Sequence, residues 1–293
     1  MFVRRSNLIM PIIRQDFVEK AWSRSADAVT LDLEDSVPDS KKGEARELIQ
    51  NSVRLVAKGG SDVLIRVNNE PLYLKGDLEF AVVSGVRGII LPKVETAENV
   101  VNVDLAMANL ESKQNLRKGG ISLTVVVETA RGLANALEIA AASNRVESMS
   151  VGFEDLCTDL NIANPSSELF TYTLYQIVIA AKTVGATPLG LAGSIGDLNT
   201  TTFRESAIRS KNLGIRGAMA INPSQVSILN EVFSPTAAEV AESKKIVKAY
   251  EASISRQSGA MKLEDRMVDK PVYLRAKDVV YYSEAINKRL GQP

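Results

Sequence analysis

The chain has 293 residues, 45% hydrophobic and 24% charged, and its 35 basic side chains balance 35 acidic ones. That length holds one large domain or two small ones, and the balance provides no bulk field for nucleic acid or an anionic membrane. With no histidine and a single cysteine, Cys157, Ser-His-Asp and Cys-His hydrolysis are excluded, ordinary zinc catalysis is disfavoured, and no disulfide can form within the chain.

Acid–base work therefore falls to carboxylates, Lys, Tyr, Cys or bound water. Cys157 is read as a small packed side chain rather than a reactive thiol. The N-terminal MFVRRSNLIMPIIRQD lacks both a signal h-region and a small-residue cleavage site. No run reaches the ~18 apolar residues of a membrane span. With one cysteine, a reducing, cytoplasmic setting without membrane or nucleic-acid partners is the expectation.

Short β-branched runs alternate with longer helical patterns, the signature of a parallel sheet with helical crossovers. Eight strands are expected: Ser6–Ile12, Ala28–Ser36, Asp62–Asn68, Gly88–Val94, Ser122–Thr129, Ser148–Asp155, Thr187–Ile195 and Gly217–Asn222. Helices are expected near Asp16–Arg24, Lys42–Lys58, Leu74–Ser84, Ala97–Leu110, Gly132–Ala142, Glu168–Val184 and Thr201–Leu213, with a shorter one after Ser224. Glycines 59–60, 85, 119–120, 185 and 214 follow the helical runs, where a left-handed cap is expected. Asp39 or Ser40 can cap the helix carrying Glu44, and Thr96 with Asn99 marks another start. Eight βα units of this size predict one closed (β/α)₈ TIM barrel over residues 1–233. An open doubly wound sheet would want a glycine-rich phosphate turn after an early strand, and none is present.

Residues 234–293 read as a helical extension, too short for an independent domain. Thr236 and Glu239 have capping-box spacing. A helix to Ser255, a loop Gln257–Lys270 and a helix Val272–Leu290 follow. Such an extension caps the barrel or contacts a neighbouring subunit.

The strand ends carry the chemistry. Glu128 ends the fifth expected strand and Asp155 the sixth, so the two lie side by side on the face where barrels place their sites. Two converging carboxylates can hold one hard cation, most simply Mg²⁺, with positions left for water and substrate. Asp32 sits between Leu31 and Leu33, where a carboxylate points into the barrel or toward a partner, in a functional or site-supporting role. Arg66 takes the same alternating position in VLIRVN and needs an anion. That anion is either Asp32 or Glu128, or the carboxylate of a 2-oxo acid that suits the guanidinium fork. Lys93 in ILPKVE is either a Schiff-base lysine or an ion-pairing one. Glu154, beside Asp155, joins Arg66 and Asp32 among the substrate-binding candidates. Gly152 lets something approach the backbone closely.

At these residues the sequence resembles the citrate lyase β-subunit family, within the HpcH/HpaI aldolase and citrate lyase superfamily. The likeness runs along the whole chain through RSNLIMP, ADAVTLDLEDSVPDSKKGEAR, LIRVN, GVRGIILPKVETAENV, VVETARGLANALEIA, SVGFEDLCTDL, INPSQ, FSPTAAEV and MVDKP. The resemblance implies a trimerising (β/α)₈ barrel, Mg²⁺ on Glu128 and Asp155, and Arg66 on the substrate's carboxylate and carbonyl end. It also implies that Asp269 of MVDKP, or less favourably Asp265, comes from a neighbouring subunit as the acid–base group for the acetyl-CoA methyl carbon. The implied reaction is reversible carbon–carbon cleavage of a 3-hydroxyacyl-CoA such as citryl-, malyl- or citramalyl-CoA, giving acetyl-CoA and a 2-oxo acid. An aldolase acting on a free hydroxy-oxo acid and a non-catalytic barrel subunit or ligand binder are the alternatives. Ala218 and Asn222 stand where the family pattern G-K-x-x-I-H-P has lysine and histidine. Arg266 stands where D-G-x-M-V-D has glycine, PIIR replaces P-G-x-R, and GLAGSIGD replaces an acidic run. These departures bear on acyl-group and CoA recognition.

Overall fold

The computed structural model describes residues 2–254, 261–263 and 266–291. The chain divides into two compact units, residues 4–233 and residues from 234 onward together with the extreme N-terminus.

In the first unit, eight parallel strands run β1 (Ser6–Pro11), β2 (Ala28–Asp32), β3 (Asp62–Arg66), β4 (Gly88–Leu91), β5 (Ser122–Val127), β6 (Val146–Val151), β7 (Thr187–Pro188) and β8 (Ala218–Ala220). Their spatial order is β7-β6-β5-β4-β3-β2-β1-β8. The two ends of that order meet. Arg216 N donates to Pro188 O at 3.0 Å, and Gly190 N donates to Gly217 O at 2.9 Å. These bonds complete the ring of a (β/α)₈ barrel.

Both faces of each strand are covered, so the strands read as continuous apolar runs. All six residues of β5 and all four of β4 are buried. Alternation then splits them between two cores. Val29, Leu31, Ile65, Ile89 and Leu91 pack outward in the large core. Ala28, Leu64, Ile90 and Val126 point inward and form a small plug, with Met219 packed against it. Further along the same inward rows come Asp32, Arg66 and Glu128, so charged groups stand above a hydrocarbon floor. Inward hydroxyls and amides satisfy one another across strands, as in Thr30 Oγ1 to Asn7 Oδ1 at 2.8 Å and the Thr124 and Ser148 hydroxyls at 2.8 Å.

Thr96 and Asn99 form a full capping box, and Gly60, Gly85, Gly119, Gly185 and Gly214 all have positive φ. Elsewhere the boundaries differ from expectation. The expected Lys42–Lys58 helix is two, Lys42–Glu47 and Ile49–Ala57, entered through a 3₁₀ turn at Asp39–Lys41 with no side-chain cap. The expected Gly132–Ala142 helix is also two, Ala130–Ala134 and Ala136–Ala141. β6 ends at Val151, not at Asp155. Phe153, Leu156 and Cys157 are buried at helical spacing, so Glu154 and Asp155 occupy the first turn of a helix, Phe153–Asp159. β7 pairs with β6 over only two residues, and Pro188 offers no N–H on the side facing β8.

The second unit holds helix Ala237–Ile254, the antiparallel pair β9 (Met261–Leu263) and β10 (Arg266–Val268), and helix Lys270–Arg289. The expected loop thus contains a hairpin. Thr236 and Glu239 form the expected capping box, at 2.7 and 3.1 Å. Ile246, Tyr250, Val268 and Ala276 make this unit's core, with Tyr250 stacked on Tyr273 at 4.7 Å. Asp265 lies outside the described residues. Among the described residues, no helix is long and apolar enough to cross a membrane.

One buried ion pair ties helix Ala97–Lys113 to the entry of β6. Glu111 is fully buried and accepts from Gly119 N, Ile121 N and both terminal nitrogens of Arg145, at 2.6 and 2.8 Å from the latter. Replacing Arg145 by methionine strands that carboxylate in the core. The substitution should destabilise the protein by about 3–5 kcal/mol in urea unfolding, and a loss under ~1 kcal/mol would show the pair to be dispensable.

Candidate active site

β2 and β3 are in register at Asp32 and Arg66. Arg66 Nε donates to Asp32 Oδ1 at 2.6 Å and Nη2 to Oδ2 at 2.8 Å, a two-pronged pair. Asp32 also accepts from Glu34 N and from the backbone and hydroxyl of Ser36. Burial works to raise the Asp32 pKa, but these donors and the Arg66 charge prevail and hold it low. Burial likewise works against the Arg66 charge, and Asp32, Glu34 and Asp35 overcome it, so the guanidinium stays charged. Asp32 therefore acts from behind Arg66, and Arg66 lines the cavity in front of it. Of the readings open for Arg66, the ion pair with Asp32 is present.

Arg66 Nη1 lies 2.9 Å from Glu34 Oε2 as a charge contact. Glu34 Oε1 takes Lys93 Nζ at 2.5 Å, and Asp35 takes it at 3.0 Å. Burial alone lowers the Lys93 pKa, yet these two carboxylates drive it above its ordinary value. An amine held protonated this firmly is no Schiff-base nucleophile, so Lys93 is the ion-pairing lysine. Its φ is +50°, uncommon for a side chain of this kind. This conformation turns Lys93 N onto Glu128 Oε2, at 2.8 Å.

Glu128 follows β5 directly and is 4% exposed. Among the described residues its one hydrogen bond comes from Lys93 N. Burial, then the negative charges of Glu34 and Asp155, push its pKa up to about 8. Gly152 makes room for it, since a Cβ there would lie 2.5 Å from Glu128 Oε1. Asp155 is half-buried on the next βα unit. It lines the same cavity, of about 260 Å³, as Arg66 and Glu128. Glu154 reaches this cavity too and accepts from Ser194 Oγ at 2.5 Å. Asp269 belongs to the second unit, where its carboxylate caps helix Lys270–Arg289 by accepting from Val272 N at 3.1 Å.

Five carboxylates here, Asp32, Glu34, Asp35, Glu128 and Asp155, face two bases, Arg66 and Lys93. A buried acid flanked by two others and satisfied by a single N–H fits a divalent cation. Glu128 and Asp155 offer oxygen ligands alone, as Mg²⁺ prefers. Among the described residues no cluster of three or more Cys, Asp or Glu could hold a metal, so water and substrate would complete such a shell.

Sequence reasoning missed what holds this array in place. Lys42 is buried and its ammonium donates to Leu33 O, Glu34 O and Asn68 Oδ1, at 2.7 to 2.9 Å. Asp77, fully buried, anchors Asn68 through its N and Nδ2 and takes Arg46 Nε at 2.8 Å. These residues share no sequence spacing that would flag them. Cys157 is buried, and burial with Glu154 raises its thiol pKa, which fits a packing role. Ala218 is buried in β8, Asn222 caps helix Pro223–Val232, and Arg266 pairs with Glu242 at 2.7 Å.

A family profile described as HpcH/HpaI aldolase/citrate lyase matches residues 5–223. The chain belongs to that family. Among its relatives within the HpcH/HpaI family, the citrate lyase subunit beta of Leuconostoc mesenteroides subsp. cremoris is 30% identical, over 97% of this chain and 94% of its own. The L-malyl-CoA/beta-methylmalyl-CoA lyase of Rhodobacter capsulatus is 32% identical, over 96% and 95%. Among solved structures, CitE from Mycobacterium tuberculosis in complex with magnesium, acetoacetate and coenzyme A aligns with TM-score 0.74 and 25% identity, covering 95% of this chain and 97% of that one.

The raised Glu128 pKa has a direct consequence for stability. Folded Glu128 keeps its proton to about pH 8, whereas an ordinary glutamate releases it near 4.5. The folded state therefore binds more protons between those values. Its contribution is complete below the lower pKa and is lost as pH rises through the higher one. In metal-free melts from about pH 5 to about pH 8, the wild-type Tm should fall more steeply than that of Glu128→Gln. Equal slopes would contradict the burial argument.

Proposed function

We propose that this protein is a Mg²⁺-dependent carbon–carbon lyase that cleaves a 3-hydroxyacyl-CoA to acetyl-CoA and a 2-oxo acid, or condenses them in reverse. The observation that carries the reading is Glu128, a buried carboxylate with one N–H partner and two acidic neighbours beside a cavity lined by Arg66. The family relatives named as lyases of citrate and malyl-CoA support the same class of reaction, and carbon–carbon cleavage is the enzyme activity of this chain.

Glu128 and Asp155 would hold the metal, with water and substrate completing the shell. Bound there, Mg²⁺ would supply Lewis-acid stabilisation to the oxygen that changes from hydroxyl to ketone. Arg66, oriented by Asp32, binds the substrate carboxylate and faces the same developing charge. Glu154, held by Ser194, borders the acyl group. In the cleavage direction the hydroxyl gives up its proton to a water in the cavity, and its carbon becomes the carbonyl of the oxo acid. The bond pair passes to the thioester α-carbon. Asp269 from an adjoining copy of the chain then protonates that carbon, a task that needs no histidine. On this reading the working unit is a cytoplasmic homotrimer, as the family resemblance implies. A second reading, cleavage of a free hydroxy-oxo acid, has Ala218, Asn222 and Arg266 in its favour, because each replaces a residue of the family pattern.

Incubation with Mg²⁺ and a panel of 3-hydroxyacyl-CoAs should release acetyl-CoA and a 2-oxo acid, and Asp155→Ala should abolish both metal binding and cleavage. Turnover of free hydroxy-oxo acids alone would favour the second reading. Asp269→Ala should lower turnover by roughly 10²–10⁴-fold while calorimetric Mg²⁺ affinity persists; loss of the metal as well would remove Asp269 from the proton-transfer role. Gly152→Ala, which crowds Glu128, should weaken Mg²⁺ binding by roughly 10–100-fold, and unchanged affinity would detach Glu128 from the metal.

A further inference from the structure

Helix Ser167–Thr183 packs on the outside of the barrel against β6 and β7. Its inner face is Leu174, Ile177, Ala180 and Ala181, all buried. The outward face of such a helix is expected to be polar. Helix Ile49–Ala57 follows that rule and exposes Gln50, Asn51 and Arg54. Helix Ser167–Thr183 breaks it. Tyr172, Tyr175 and Ile179 are 61%, 48% and 64% exposed, and no charged residue stands between Glu168 and Lys182. Glu168, Tyr172, Tyr175, Ile179 and Lys182 succeed one another by four, three, four and three positions, and all are exposed. That is the spacing of the seam between two paired helices. Gln176 donates to the Tyr172 hydroxyl and braces that ring.

The row is symmetric about its middle. Glu168 and Lys182 each lie seven positions from Tyr175, one acidic and one basic, and Tyr172 and Ile179 lie three and four positions from it. A two-fold rotation about Tyr175 lays the same helix of a second copy antiparallel on the first. Tyr175 then meets its own symmetry mate, Tyr172 lies against Ile179, and Glu168 reaches Lys182 at both ends. An ammonium has donors for more than one partner, so Lys182 can take this carboxylate beside a contact within its own chain. A parallel pair would set acid on acid and base on base. Tyrosine suits the middle of such a seam, because its ring is apolar and its hydroxyl can stay hydrogen-bonded. We infer that this face is a two-fold contact between copies of the chain, with helix Ser167–Thr183 packed antiparallel on its mate and Tyr175 on the axis. The contact is isologous, whereas a ring of three is closed by heterologous ones. It therefore joins two rings and builds none, and it does not depend on the lyase reading.

Sedimentation velocity of the intact protein over a concentration series reads the contact directly. Tyr175→Glu should sediment at half the wild-type mass, with folding checked by circular dichroism. An unchanged mass in the folded variant overturns the contact. A fall to one third marks a cyclic interface and overturns the two-fold. Charge exchange keeps the question open to test if that variant does not fold. Glu168→Lys and Lys182→Glu should each weaken pairing by roughly 5–30-fold, since two exposed ion pairs are lost per contact. An equimolar mixture of the two single variants should restore it, and a mixture as weak as either variant alone overturns the antiparallel arrangement. On mild oxidation Tyr175→Cys should give a disulfide-linked dimer, the native Cys157 being buried. Tyr172→Cys should not, because the two copies of position 172 lie about 9 Å apart along the helix axis in this register, beyond disulfide reach. Crosslinking of both variants alike, or of neither, overturns the placement of Tyr175 on the axis.

Discussion

A buried carboxylate with a single N–H partner and no ion-paired base among the described residues is the constraint on which the upper end of this barrel depends. Glu128 is placed there by the strand that precedes it, five of whose six residues are apolar or β-branched and all of which are buried. It would be more stable neutral, and it is held close to Asp155 and Glu34 nonetheless. The neighbouring bases cannot relieve it, because each is bound elsewhere. Arg66 belongs to Asp32, and Lys93 belongs to Glu34 and Asp35. The arrangement makes sense as half of a site whose other half is a divalent cation.

Keeping such a cluster of like charges in place needs a scaffold that cannot relax. The β2 and β3 ends are locked by Lys42, whose three donors are all used on Leu33 O, Glu34 O and Asn68 Oδ1. Asp77 holds Asn68 in turn. On the opposite side Gly152 admits Glu128 by lacking a Cβ, and Lys93 accepts a left-handed backbone to reach it with its N–H. Backbone strain and close approach are thus concentrated where the charges converge, in keeping with preorganised sites generally. Beneath them the plug of Ala28, Leu64, Ile90 and Val126 supplies a rigid, water-poor floor, which strengthens every electrostatic interaction above it.

Much of this was legible from residue patterns. The β-branched runs and the helices between them predict a closed barrel, and alternation about Leu31 and Leu33 already turned Asp32 inward. The pair Glu128 and Asp155 was found because a parallel barrel sets consecutive strand ends side by side. Asp155 nevertheless belongs to a helix, not to the strand that its run suggests. The apolar run through Val151 looks extendable until Phe153, Leu156 and Cys157 are seen buried on one helical face. The hairpin of β9 and β10 was invisible for a related reason: three-residue strands are too short for alternation to show. Lys42, Asn68 and Asp77 gave no signal, since their partnership is made across strands and not along the chain.

The sequence by itself determined the fold class and the family, because each rests on a local period or an ordered set of motifs. Tertiary structure alone decided which acid goes with which base. That choice depends on the register between β2 and β3, on the left-handed backbone at Lys93 and on a glycine that lets Glu128 approach. It decided the character of the cavity floor for the same reason: Val126 and Met219 are 93 positions apart by number, and only closure of the ring makes them neighbours.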